Sequence, residues 1–189
     1  MTDATTAAQS IPLRAAELAL AQATTIDAVV TALRHAARAI AGADGITVIR
    51  WIGDEVEYVG EDAISPLWTG QRFPIRTCVS GMAMLARDVI VIPDIENDPR
   101  VPLNAYLSTF VRSMAMFPIG RGDPDMAMGA YWRETGPVDA GAIARMASLA
   151  QVAADAVARI KAAANAAQDG GRLVANASIR ALSTAPEHR

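Results

Sequence analysis

A lone cysteine, Cys78, excludes an intramolecular disulfide and any cysteine cluster for zinc. An excess of positive charge is also missing. The formal net charge is −3 at pH 7 and the pI is near 5.4, so there is no basic footprint for nucleic acid. No uninterrupted apolar run approaches the roughly 18 residues of a membrane span, and no membrane insertion is expected. The first ten residues, Met1 to Ser10, lack the positive region and the apolar stretch of a signal peptide. A cytoplasmic location is the expectation. Only two histidines occur, His35 and His188, and no metal-ligand spacing or glycine-rich phosphate loop stands out, so no metal site is expected. Aromatics are 5% of the chain against 52% hydrophobic residues, much of the latter alanine. Alanine favours helix while burying little area, so the large side chains must concentrate in one compact core.

What is present divides by period. After a polar tail at 1–10, Pro12 opens a first helix with Leu13, Ala16 and Leu20 on one face. Thr25 or Thr24 caps a second helix, which carries Ile26, Val29, Val30, Leu33, Ala37 and Ile40 as a stripe and stops at Gly42. His35 falls beside that stripe and reads as a surface residue. The pattern then becomes β-like. Gly45–Ile52 and Glu55–Val59, parted by Gly53-Asp54, predict a hairpin. A short helix over Val79–Ala86, with Thr77 or Ser80 as cap, precedes an apolar strand from Asp88 to Pro93. Two longer strands follow, at Phe110–Ile119 and Met126–Arg133. From Val138 the helical period returns and runs to about 165, where Gln168-Asp-Gly-Gly171 is read as a break. Arg172–Ser183 restarts briefly and the last residues fray.

On that last helix Ile143, Met146, Ala150, Ala153, Val157 and Ile160 alternate spacings of three and four, which is a heptad seam. It either covers the sheet or also pairs with a second copy. The order of elements is that of an α+β domain, with an antiparallel sheet, helices on one face and a loop-rich cover on the other.

Within the central stretch, Gly70-Gln-Arg-Phe-Pro-Ile75, Cys78-Val-Ser-Gly81, Ile92-Pro-Asp-Ile95, Asp98-Pro-Arg100 and Thr109-Phe-Val-Arg-Ser113 together resemble a GAF sensor domain. More narrowly they resemble the GAF modules of bacterial two-component sensor histidine kinases, and Gly129-Ala-Tyr-Trp132 fits that group as well. Met82 departs from the pattern, in which a tryptophan often follows Ser-Gly. The resemblance implies a GAF-like (PAS/profilin-like) six-stranded sheet over 11–165, with a helical bundle behind it and a small-molecule pocket in front. It also implies dimerisation through the first and last helices. In full-length relatives the module feeds a kinase or another output domain. A homodimer and a histidine kinase or other signalling output are therefore the expected partners, with 166–189 as a helical or disordered extension.

One GAF branch reduces free methionine sulfoxide, which needs several cysteines to resolve the oxidised thiol, whereas Cys78 stands alone. Neither histidine sits near Cys78 in sequence to act as its base. Bilin-binding relatives attach chromophore through a cysteine in the second small helix, and none lies near Ala105-Tyr106. Haem would want an axial histidine in the pocket. The cyclic-nucleotide signature is not traceable. The chain is accordingly expected to have no catalysis of its own and no cofactor beyond an unidentified small ligand. Trp68, Phe73, Cys78, Met82, Asp94, Tyr106, Phe110, Arg112, Met114 and Trp132 are the candidate ligand residues. Arg112, among large apolar neighbours, must either pair, with Asp94 as candidate, or sit at a wet pocket edge. In a strand over 110–119, Phe110, Arg112, Met114 and Met116 would share one face and Val111, Ser113, Ala115 and Phe117 the other. The expected function is a sensory module that transmits ligand occupancy through the long helix. The alternatives are a structural dimerisation module and a single-cysteine redox sensor.

Overall fold

The computed structural model describes residues 2–183, so Met1 and the expected frayed end at 184–189 lie outside the described residues. Helix α1 spans Thr2–Gln22, with Pro12 inside it rather than at its first turn. Of the tail expected at 1–10, residues 2–10 are thus helical. Proline removes one backbone bond within a helix, and the Thr- and Ala-rich residues ahead of it take helical backbone at that cost. Ala16, Leu20 and Ala23 are buried and Leu13 packs beside them.

Helix α2, Ile26–Ala41, forms where its local signals place it. The Thr25 hydroxyl oxygen accepts from the Ala28 backbone N–H at 3.1 Å, Asp27 lies in the first turn, and Gly42 ends the helix at φ 61°. Val29, Val30, Leu33, Ala37 and Ile40 are buried, and His35 is exposed.

Strand β1, Gly45–Ile52, turns at Gly53 into β2, Glu55–Ala63, four residues longer than the alternating run predicts. Its register against β1 shifts at Val48/Ile49, a bulge that re-aims the side chains beyond it. Strand β3 is Arg72–Pro74, followed by a 3-10 turn at Ile75–Thr77 and helix α3, Val79–Ala86. Neither Thr77 nor Ser80 caps α3. The cap position is Cys78 without a side-chain bond, and the Thr77 hydroxyl donates to the Pro74 carbonyl, spent on the turn that feeds the helix. Strand β4 is only Ile90–Ile92, a 3-10 turn covers Leu103–Ala105, and β5, Ser113–Ile119, pairs with β6, Met126–Trp132. The six strands form one antiparallel sheet in the order β3-β2-β1-β6-β5-β4.

Helix α4 spans Ala140–Ser183, capped by the Asp139 carboxylate, which accepts from the Ala142 N–H at 2.7 Å. It passes through Gly170-Gly171 without the expected break. A helical glycine costs only about 1 kcal/mol relative to alanine, and no proline interrupts the surrounding alanine-rich run. Arg145 donates to the Ile40 carbonyl at 3.0 Å and Arg159 to the Leu20 carbonyl at 3.1 Å, so α4 caps the C-terminal turns of α2 and α1.

Two cores result. Behind the sheet, α1, α2 and α4 pack against Ile46, Val48, Ala115, Phe117, Met128 and Ala130. The seam residues Met146, Ala150, Ala153 and Val157 are buried in this core, and Ile143 and Ile160 pack against its edge. The stripe is therefore consumed within the chain, and a second copy is not needed to explain it. In front, the cover of β3, α3 and the irregular segments packs on Ile49, Val56, Tyr58, Met114, Met116, Ala127 and Tyr131. Among the described residues no helix is long and apolar enough to cross a membrane.

Candidate functional site

The cover is fastened to the sheet by one carboxylate. Glu61, near the end of β2, accepts the backbone N–H groups of Leu67, Trp68 and Thr69 at 3.1, 3.0 and 3.0 Å. Burial pushes its carboxyl up, but these bonds outweigh that and hold it below the ordinary carboxylate value. The turn so held delivers Trp68 onto the front of the sheet, where its indole N–H donates to the Ala105 carbonyl at 3.3 Å. That bond ties the two halves of the cover together. Within the second half, the Asp98–Arg100 pair braces its own loop, with Arg100 Nε 2.9 Å from Asp98 Oδ1; this bond keeps the Asp98 carboxyl below its usual range.

Close backbone approach shapes the same region. A Cβ at Gly81 would stand 1.8 Å from the Ile75 carbonyl oxygen, so only glycine lets α3 lie against the preceding turn. Behind it, a Cβ at Gly129 would stand 2.4 Å from the Tyr131 hydroxyl. Glycine there leaves room for the buried bond between Thr47 and Tyr131, whose oxygens are 2.8 Å apart.

Between cover and sheet lies a cavity of about 150 Å³. Tyr58, Trp68, Phe73 and Tyr106 supply four aromatic rings to its wall, and Thr77, Cys78, Pro102 and Ala105 complete it. Tyr58 and Trp68 have centroids 5.5 Å apart at 63°, Tyr58 and Phe73 5.5 Å at 83°, and Trp68 and Tyr106 5.0 Å at 74°. Burial pushes the Tyr58, Tyr106 and Tyr131 phenols well up, so they stay protonated. The Tyr58 hydroxyl meets Ser80 at 3.3 Å, the Ser80 hydroxyl donates to the Cys78 sulfur at 3.4 Å, and the Tyr106 hydroxyl donates to the Met114 sulfur at 3.8 Å. Larger clefts lie on the helical side. One of about 250 Å³ is bordered by Arg87, Asp88, Pro118 and Gln151, and another of about 280 Å³ by Leu20, Val152, Asp155 and Arg159. Both have charged side chains at their rims, whereas the cover cavity is lined by uncharged groups, half of them aromatic.

Of the ten candidates named from sequence, Trp68, Phe73, Cys78 and Tyr106 meet at this cavity. Met114 is buried just behind it, as the acceptor for Tyr106. The other five lie elsewhere. Phe110 packs at Gly45, where its ring would meet a Cβ at 2.8 Å. Met82 is half-buried on α3, away from the cavity wall. Asp94 bonds its own loop, accepting from the Asn97 amide at 2.8 Å and the Glu96 N–H at 3.0 Å, so it does not pair with Arg112. Arg112 donates to the Val111 carbonyl at 2.8 Å and forms no salt bridge among the described residues. Trp132 faces the helices, its indole donating to the Gly42 carbonyl at 3.1 Å. Strand parity explains part of this. Because β5 begins at Ser113 rather than Phe110, the alternation holds for Met114 and Met116 in front and Ala115 and Phe117 behind, but Val111 joins the front core. Tyr58, Thr77, Pro102, Ala105 and the anchor Glu61 were not picked out. Only Tyr58 had a usable signal, as an aromatic in an alternating strand.

No family model matches the chain, and no curated protein matches it. Solved structures do. The free methionine-R-sulfoxide reductase of Neisseria meningitidis, in complex with its substrate, aligns at a TM-score of 0.72 and 17% identity, over 86% of this chain and 95% of that one. The GAF domain of a phosphoenolpyruvate-protein phosphotransferase from Coxiella burnetii aligns at 0.72 and 14%, over 84% and 97%. A phycoerythrobilin-bound GAF domain from a cyanobacterial phytochrome aligns at 0.67 and 19%, over 80% and 95%. The fold is that of a GAF domain, α+β with a curled six-stranded antiparallel sheet. One expectation is corrected here. The chain was read as having no catalysis of its own, but the same fold, at comparable similarity, carries a reductase. That exclusion falls.

Proposed function

We propose that this chain is a small-molecule-sensing module, in which occupancy of the cover cavity biases the segments 64–82 and 94–109 and, through the sheet, helix α4. A signalling partner, a histidine kinase of a two-component system or another output, would read that helix, and a homodimer joined outside the consumed seam would suit such a reader. The observation that carries the reading is the cavity itself. A cover serving only structure would collapse onto the sheet, whereas about 150 Å³ remains between Tyr58, Trp68, Phe73 and Tyr106. Burial of Cys78 speaks against a redox sensor, which needs an accessible thiol. A ligand shifts such an equilibrium only through differential affinity for its two states.

Native mass spectrometry on the full chain, after incubation with a small-metabolite extract, tests this. A non-covalent added mass is expected, and Ala105→Trp, which fills the cavity from its wall, should abolish it. An added mass that survives the substitution, or none in the unsubstituted chain, overturns the proposal.

A further inference from the structure

The wall of the cavity says what kind of group fits it. It contains no Leu, Ile, Val or Met and no charged side chain. Its side-chain N–H and O–H donors are already engaged. The Trp68 N–H goes to the Ala105 carbonyl, the Tyr106 hydroxyl to the Met114 sulfur, the Tyr58 hydroxyl to Ser80 and the Thr77 hydroxyl to the Pro74 carbonyl. A carboxylate would enter without a donor, and a primary ammonium would find only hydroxyl lone pairs for its three N–H groups, so burying either is costly. The group that fits must need no hydrogen bonds.

Two classes meet that demand, a neutral apolar group and a fully methylated cation. The composition of the wall separates them. Three of its four rings are Trp or Tyr, the side chains whose negative π faces attract a cation most strongly. The rings meet edge to face at 63° to 83°, with centroids 5.0 to 5.5 Å apart, so they make an angled aromatic wall rather than a flat stack. A volume of about 150 Å³ is small beside the roughly 300–1,000 Å³ of sites for drug-sized ligands, and suits a head group. Exposed Thr77 and half-buried Pro102 on the wall leave the remainder of such a molecule a route to solvent.

We propose that the Tyr58–Trp68–Phe73–Tyr106 wall binds a quaternary ammonium group of the trimethylammonium kind; this rests on the reading of the cavity as a small-molecule site. The test is isothermal titration of the full chain with choline and with 3,3-dimethylbutan-1-ol, which has the same shape without the charge. Choline should bind at least about tenfold more tightly. Phe73→Leu, at a half-buried position, should weaken choline by a larger factor than it weakens the alcohol, and so reduce that preference. Equal affinity for the two probes, or tighter binding of the alcohol, overturns the cation site yet leaves the small-molecule reading standing. Binding of neither probe overturns the cation site, and the metabolite-extract experiment then decides the broader reading separately.

Discussion

Single residues decide how closely the cover approaches the sheet, and Gly81 is the sharpest instance. Its φ is ordinary, so left-handed backbone is not the reason for glycine; the reason is space. A methyl group there would stand 1.8 Å from the Ile75 oxygen and 2.6 Å from the Ile75 carbonyl carbon, both backbone atoms that cannot swing aside like a side-chain tip. Gly81→Ala must therefore push the 75–77 turn away from α3, which carries Cys78 and Thr77 off the cavity wall. We expect a loss of about 3 kcal/mol, at the upper end for overpacking a close contact, read as a lower urea midpoint with an unchanged slope. Gly70→Ala is the contrasting case, since its φ of 84° strains any side chain but nothing lies within 4 Å of the added atom. The cost there should be about 1 kcal/mol, from backbone conformation alone.

At the scale of elements, the segment from Ala63 to Arg72 has little regular structure and depends on Glu61 for its position. Three backbone N–H groups converge on that carboxylate, so Glu61→Gln replaces one accepting oxygen by an amide that donates. About 1–2 kcal/mol should be lost, together with the orientation of Trp68, seen as a change in tryptophan fluorescence. The pH dependence has a definite sign. The folded carboxyl titrates below its ordinary value of 4.5, so its stabilisation is complete above about that pH and disappears as pH falls through the lower folded value. The variant should lack this acid-side loss, and identical acid profiles for the two proteins would refute the anchor. The same segment shows where reading a sequence stops. Helix α2 was legible to within a residue because Thr25, Asp27 and Gly42 act locally. The hairpin was legible for a similar reason, the Gly53-Asp54 turn, whereas α3 was legible in extent but not in its cap, which is Cys78 without a side-chain bond. The cavity wall was not, because Thr77, Pro102 and Ala105 stand on turns without a period, and their convergence depends on Glu61 and on the Trp68–Ala105 bond across 37 positions. Trp132 was misplaced because Tyr131 and Trp132 are adjacent aromatics on opposite faces of β6, and only the paired register says which one faces the cover.

For the whole molecule the decisive element is α4, which at 44 residues is about 66 Å long and outruns the sheet it covers. Its first part is core, with Ala153 fully buried between the sheet and the other helices. From Lys161 to Asp169 every residue is exposed, so that part adds no packing to the domain. The division predicts opposite results for two changes in one helix. Ala164→Gln should leave the stability of the domain within about 0.5 kcal/mol, because that side chain is exposed. Ala153→Glu should destabilise it by about 3 kcal/mol or more, because an unpaired carboxylate enters an apolar core. Urea unfolding combined with light scattering separates this from a seam that serves an interface between copies. In that case the glutamate would yield a folded monomer with near-normal stability, and the stripe from Ile143 to Ile160 would have to be reassigned to a partner.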